Sequence, residues 1–289
     1  MAKRRETFRK VITSPELIEQ INPKNKTLME RFLKNFEKIE ADHIILDLED
    51  SLTEEQKEEG LGLACEILQQ YEGKKSIYVR VKSGSRMEVE LKTLQNYDFA
   101  GFMIPKFEDV SMLEQFRNYI NGKEIIALIE TVKGVIEIPQ IAASPLVHKL
   151  AFGAEDFCRD LGFEAGEEAA YFPRNQLVLY SSYYKKYVLD GVCLDVHNME
   201  IFKKSYEKTK RMGFHGKLLI HPNQVKAVHE YNDSVDVERL KYIVRTFKDS
   251  GEGVLFIDGE FYEKPLIDKI EKYLEEIMEF AHGNCKGTE

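Results

Sequence analysis

Two carboxylates in this sequence stand where chemistry is most easily done. Glu130 follows the apolar run ALI directly, and Asp156 closes LAFGAED (150–156). Acids that leave neighbouring strands converge, and with water and substrate oxygens they form an oxygen-rich site suited to Mg2+ or Mn2+. Each acid also reads as a helix cap or as the partner of a Lys or Arg. A second acidic group lies in LDLEDS (46–51), which places Asp47, Glu49 and Asp50 within four residues. Strand alternation puts Asp47 and Glu49 on the face opposite Leu48, and Asp50 or Ser51 can cap a following helix. Arg80 sits in VRVK (79–82) among apolar residues. A buried arginine needs an anion, which is either a protein acid such as Asp47 or a substrate carboxylate; both remain open. Lys106 and His221 complete the set, His221 reading equally as a group that satisfies backbone atoms before Pro222.

These residues share one property: each ends or follows a short apolar run. The runs are KVITS (10–14), HIILDL (43–48), SIYVRV (76–81), FAGFMIP (99–105), EIIALIE (124–130), HKLAFG (148–153), GVCLDV (191–196) and KLLIHP (217–222). Between them lie helical patterns at 25–41, with Leu28, Phe32, Phe36 and Ile39 on one side, at 54–72, near 111–121, near 134–143, at 199–213 and near 223–231. The HKLAFG run leads into a loop and then the long pattern 167–189. Continuous apolar runs alternating with helices indicate a parallel sheet buried on both faces. Eight βα units in about 230 residues fit a closed TIM (β/α)8 barrel, whose chemistry sits at the C-terminal ends of the strands. The expected organisation is an α/β barrel over 1–235 and a C-terminal helical extension over 236–289, packed on or over the barrel. In the extension, DVERLKYIVRTFKDSG is helical and stops at Gly251. VLFIDGEF (254–261) carries an Asp-Gly turn, and Ile267, Ile270, Leu274 and Ile277 recur at helical spacing.

The composition agrees. The chain has 289 residues, 43% hydrophobic and 31% charged, and its net charge is −9. An acidic protein without a basic stripe is not a dedicated nucleic-acid binder. No run approaches the ~18 apolar residues of a membrane span. MAKRRETFRK is basic but has no apolar core behind it, so no secretory leader is expected. Cys65, Cys158, Cys193 and Cys285 form no C-x-x-C pair, as expected of reduced thiols in a cytoplasmic protein.

The order of motifs carries a resemblance. LDLEDS (46–51), VRV (79–81), IPKFED (104–109), ALIET (127–131), FGAEDFCRDLG (152–162), GFHGKLLIHPNQV (213–225) and IDGEFYEKP (257–265) follow one another as in the citrate lyase β-subunit-like family of the HpcH/HpaI aldolases. The resemblance spans nearly the whole chain. It implies a TIM barrel, usually a homotrimer or larger, that cleaves or forms the C–C bond of citryl, malyl or citramalyl thioesters on coenzyme A or an acyl carrier. By the same resemblance Glu130 and Asp156 become ligands of Mg2+ or Mn2+. Arg80 holds the substrate carboxylate or thioester carbonyl, Asp47 orients Arg80, and the amides of Gly153, Ala154 and Glu155 up to Asp156 hold a carboxylate. Relatives acting on coenzyme A thioesters carry an acid/base aspartate, contributed by a neighbouring subunit, where this chain has Glu263. They often have Asn where this chain has Lys82. The other functions compatible with the sequence are a metal-dependent aldolase of free 2-oxo acids and a non-catalytic barrel with a binding or regulatory role.

Overall fold

The structure, a computed structural model, describes residues 8–11, 41, 43–74, 76–162, 166–233 and 236–281, the side chains of 8–11, 233 and 276–281 excepted. The helix expected over 25–41 and Cys285 fall outside this description, apart from residue 41. The described residues form two compact units, one ending at Val228 and the other beginning at His229. That division lies inside a helix, earlier than the boundary expected at 235.

In the first unit, the strands β1 (Phe8–Val11), β2 (His43–Asp47), β3 (Ser76–Arg80), β4 (Gly101–Ile104), β5 (Glu124–Ile129), β6 (Lys149–Phe152), β7 (Tyr187–Asp190) and β8 (Gly216–Leu219) are parallel and pair in chain order. β1 also pairs with β8, through Phe8↔Leu218 and Arg9↔Leu219, so the two ends of the order meet. Between the strands lie α1 (Lys57–Gln70), α2 (Met87–Leu94), α3 (Ser111–Glu114), α4 (Val132–Ile136), α5 (Ile138–Ala143), α6 (Ala154–Leu161), α7 (Tyr171–Tyr183), α8 (Met199–Met212) and α9 (Pro222–Asp233).

Side chains alternate along each strand, and the burial divides accordingly. Ile45, Tyr78, Met103, Ile126, Leu128, Ala151, Leu189 and Leu218 form one buried cluster drawn from β2 to β8. Their strand neighbours Leu46, Val79, Phe102, Ala127, Leu150 and Val188 pack instead with helix residues such as Leu61, Leu91, Ile141 and Leu177. Most strand residues are therefore wanted on one apolar face or the other, which explains the nearly uninterrupted runs.

Five expected elements differ from the structure. The seventh strand is Tyr187–Asp190, the tail of the long pattern, and 191–196 is a loop that starts at Gly191. A side chain at Gly191 would meet the Phe152 carbonyl at 2.8 Å. The loop expected after β6 is helix α6. The helix expected over 111–121 is a single turn continued by three-residue-spaced hydrogen bonds such as Tyr119 N–H to Phe116 O. The helix near 134–143 is broken into α4 and α5 at Glu137, with Pro139 in the first turn of the second. Of KVITS, Lys10 and Val11 lie in the described strand, which begins earlier, at Phe8, and 12–14 fall outside the described residues.

The second unit contains α10 (Val237–Ser250), the antiparallel pair β9 (Val254–Ile257) and β10 (Glu260–Glu263), and α11 (Lys264–Ala281). Asp258 and Gly259, at φ 51° and 85°, make the tight left-handed turn that the Asp-Gly pair favours. Ile243, Phe247, Ile257, Tyr262 and Ile267 form its buried cluster. Among the described residues no helix is long and apolar enough to cross a membrane.

One buried charge group ties strands to helices in the first unit. Asp190 Oδ2 accepts from Lys217 Nζ at 2.9 Å and from Thr209 Oγ1 at 2.6 Å, and Oδ1 accepts from Arg174 Nε at 2.9 Å. Burial opposes its charge, but Lys217 and Arg174 outweigh that and hold its carboxyl well below the usual range. A depressed carboxyl contributes stability above the unfolded-state value and loses it as pH falls through the folded one. Asp190→Asn should therefore cost about 3–5 kcal/mol near neutrality by leaving buried cations unpaired. Urea unfolding should show the gap to wild type closing only below the ordinary carboxylate pH range.

Candidate active site at the strand ends

Parity decides which strand-end residues meet. Asp47 lies two residues beyond Ile45, Arg80 two beyond Tyr78, Glu130 two beyond Leu128 and Gly153 two beyond Ala151, all members of the interior cluster. Each of the four thus faces the same interior at the C-terminal ends. Asp190 lies one residue beyond Leu189 and faces the helices instead.

Arg80, Glu130 and Gly153 line a cavity of about 80 Å3, with Asp47 behind Arg80. Ile45, Met103, Leu128 and Leu218 give it an apolar floor, while Asp50, Arg80, Glu130 and the segment Gly153–Asp156 supply its polar wall. β2 and β3 are in register with Asp47 opposite Arg80, and the two side chains form a fork: Nε to Oδ1 at 2.5 Å and Nη2 to Oδ2 at 2.8 Å. Arg80 Nη2 also reaches Asp50 Oδ2 at 3.2 Å, and Nη1 stands 3.2 Å from Glu49 Oε2. Arg80 is only 3% exposed. Burial disfavours its charge, yet Asp47 and then Glu49 and Asp50 hold it more firmly protonated than a free arginine. Arg80 is thus paired with protein acids, Asp47 first, and it also lines the cavity.

Glu130 is 2% exposed. Its Oε1 accepts the Lys106 N–H at 2.9 Å, Lys106 adopting φ 48°. Burial first, and then the charge of Glu49, pushes the Glu130 carboxyl up to about 8, with Asp156 adding to the rise. Burial likewise raises Glu49, whose Oε1 accepts from Ser83 Oγ at 3.1 Å. Asp156, in the first turn of α6, accepts from Arg159 Nη1 at 2.5 Å and keeps about a quarter of its side chain exposed. Gly153 is spare by necessity: a Cβ there would stand 2.6 Å from Glu130 Oε2.

This donor set suits a cation that is finished by its ligands. Among the described residues no group of three or more His, Cys, Asp or Glu is poised as a metal site. Mg2+, however, is commonly held by one or two carboxylates plus waters and substrate oxygens, and Glu130 and Asp156 offer two on one cavity.

Other expected residues fall differently. The amide of Gly153 donates to Ile129 O at 2.9 Å, so it cannot hold a substrate carboxylate. Ala154 and Glu155 open helix α6 instead of a loop. His221 Nδ1 accepts the Asn223 N–H at 3.2 Å, the backbone-satisfying reading. Glu263 ends β10 in the second unit, exposed, opposite Val254. Two residues to which no role was given belong to the neighbourhood: Glu49, second partner of Arg80, and Lys57, fully buried in a run that reads as solvent-exposed.

Residues 25–222 match the family model described as HpcH/HpaI aldolase/citrate lyase. A citrate lyase subunit beta-like protein of Mycobacterium tuberculosis is 26% identical over 244 residues, 81% of this chain and 87% of that protein. A (3S)-malyl-CoA thioesterase of Cereibacter sphaeroides is 26% identical over 247 residues, 81% and 86% of the two chains. The fold is shared with the CitE protein of M. tuberculosis crystallised with magnesium, acetoacetate and coenzyme A, at a TM-score of 0.75 and 22% identity over 96% of this chain and 99% of that one.

Gly153→Ala should fold but push the Glu130 carboxylate aside. Calorimetric titration with Mg2+ and pyruvate should show affinity falling by about tenfold or more, the scale of losing one well-placed charged contact.

Proposed function

The chain belongs to the HpcH/HpaI aldolase/citrate lyase family, and from that membership we propose that it is a Mg2+-dependent carbon–carbon lyase or condensing enzyme acting on a carboxylated β-hydroxyacyl thioester. The observation that carries the reading is the convergence of Glu130, Asp156 and Arg80 on one cavity with an apolar floor. The relatives support the substrate class: one is named for malyl-CoA and one binds magnesium, acetoacetate and coenzyme A together. The scaffold is read as a (β/α)8 barrel over 1–235 with an extension over 236–289, working as a cytoplasmic homo-oligomer, a trimer or larger.

In this reading Glu130 and Asp156 hold the cation, Mg2+ or Mn2+, and together they bring the negative charge it requires. When bound, the metal polarises the keto-acid carbonyl as a Lewis acid. Arg80, held by Asp47 on the cavity wall, stabilises the charge that develops on the thioester oxygen on cleavage. The amides of Ala154 and Glu155 at the start of α6 receive a carboxylate, the Gly153 amide being already engaged. A base then removes the β-hydroxyl proton during cleavage, or the acyl methyl proton during condensation. We assign that transfer to Glu263 of a neighbouring copy.

The experiment is product analysis with citryl-, malyl- and citramalyl-CoA in the presence of Mg2+. Release of a keto acid and a shortened acyl-CoA supports the lyase. Free CoA alone identifies a thioesterase, as the C. sphaeroides relative is named, and cleavage of free hydroxy keto acids alone identifies an aldolase. Glu130→Gln and Asp156→Asn should each lower Mg2+-dependent turnover by about 10²-fold or more, the scale of removing one preorganised electrostatic group. Retained metal-dependent keto-acid binding in both would sink the ligand assignment. Arg80→Lys should fail to restore turnover, because an ammonium cannot reproduce the fork on Asp47; near-normal kinetics would show that charge alone matters there. Mixing Arg80→Ala with Glu263→Gln under subunit exchange should regain activity, and a fully active Glu263→Gln protein would remove Glu263 from the reaction.

A further inference from the structure

The acids that face Arg80 stand at the end of β2 and just beyond it, so the exit of the chain must itself be held. Its amides are accounted for: Leu48 N–H donates to Arg80 O at 2.9 Å, and Glu49 N–H donates to Asp47 Oδ1 at 3.1 Å. The carbonyls of Leu48 and Glu49 both accept from the ammonium of Lys57, the first at 2.9 Å. Lys57 is the first residue of α1 and is 1% exposed. Neither of its hydrogen bonds reaches a group that lines the cavity.

Helix stability does not ask for lysine at this position. The first turn of a helix carries the positive end of the macrodipole and favours acids, and Glu58 and Glu59 occupy that same turn. An apolar side chain of equal length would fill the space without desolvating an ammonium. Burial does hold the Lys57 amine below the usual lysine range. What the ammonium supplies is direction: one group binds two successive carbonyls and so fixes the peptide that joins Leu48 to Glu49 and the carbonyl that follows it. The exit of β3 is tied in a similar way. There the fully buried Glu90 of α2 accepts the Lys82 N–H at 2.7 Å, two residues past Arg80.

We propose that Lys57 is a positioning residue: it fixes the Leu48–Asp50 backbone so that Glu49 and Asp50 stay against Arg80, and through them it aims the guanidinium at the cavity. This rests on the role given to Arg80 above.

The test compares Lys57→Met, which keeps the stem and removes the donors, with Lys57→Gln, which keeps a donor, in the full-length protein. Each is assayed for kcat and KM with malyl-CoA and Mg2+, and for Mg2+–pyruvate binding by calorimetry. The Met variant should lose about 10–100-fold in kcat, since misplacing an acting group by about 1 Å costs on the order of 10²-fold. KM should change by less than about threefold, the pattern of a contact made mainly in the transition state. Mg2+–pyruvate affinity should stay near wild type, because Lys57 touches neither Glu130 nor Asp156, and Gln should recover part of kcat. A folded Met variant with wild-type kcat overturns the proposal. So does a parallel fall of kcat and metal–pyruvate affinity, which marks general loosening. If the Met variant does not fold, the Gln variant is judged on the same split. If the wild-type protein cleaves no thioester, the functional reading fails by itself, and crystal structures of wild type and Gln variant decide: a displaced Glu49 carboxylate with α1 intact supports the role of Lys57, and an unmoved one ends it.

Discussion

A guanidinium that cannot reach bulk water has to be enclosed by negative charge, and the top of the parallel sheet is organised around that need. Arg80 is met by both oxygens of Asp47, and Glu49 and Asp50 complete its surroundings. The pairing is possible only because β2 and β3 run parallel with Asp47 opposite Arg80. A one-residue slip would turn each to the helical face. The charge cluster therefore depends on the register and also penalises alternatives to it, since a misregistered Arg80 would be buried without an anion.

Much of this could be read from the residues. The apolar runs located seven of the eight strands, because strands covered on both faces stand out as short apolar stretches between longer amphipathic patterns. The seventh was misplaced for a physical reason. YVLD (187–190) follows a tyrosine-rich helix after only Tyr184, Lys185 and Lys186, with no Gly or Pro to mark the helix end, whereas GVCLDV looks more strand-like but begins at a glycine pressed against the Phe152 carbonyl. That error hid Asp190, an acid at a strand end that belongs to the fold's buried charge network and not to the site. Parity separates the two kinds: Glu130 falls in step with Leu128, while Asp190 falls out of step with Leu189. Lys57 was invisible, because TEEQKEE reads as a solvated helix start. Only the return of α1 across the exit of β2 buries its ammonium.

The balance of charge at the cavity bears on what it is built to receive. Asp47, Glu49 and Asp50 crowd around the Arg80 guanidinium, Glu130 feels the charge of Glu49, and Asp156 is paired with Arg159. Arg80 offsets part of the charge felt at Glu130, but burial and Glu49 outweigh it. The consequence is visible in the Glu130 carboxyl, which burial and the charge of Glu49 push up to about 8. An arrangement made for stability alone would replace such an acid with an apolar residue, for isolated buried carboxylates cost several kcal/mol. A carboxylate kept in that state, with Gly153 bare beside it and Asp156 on the same wall, is a carboxylate awaiting a positive partner. In the proposed reading, a divalent cation held by Glu130 and Asp156 would relieve this crowding of acids. Held by only two protein carboxylates, such an ion would take its other ligands from water and an oxygen-rich substrate.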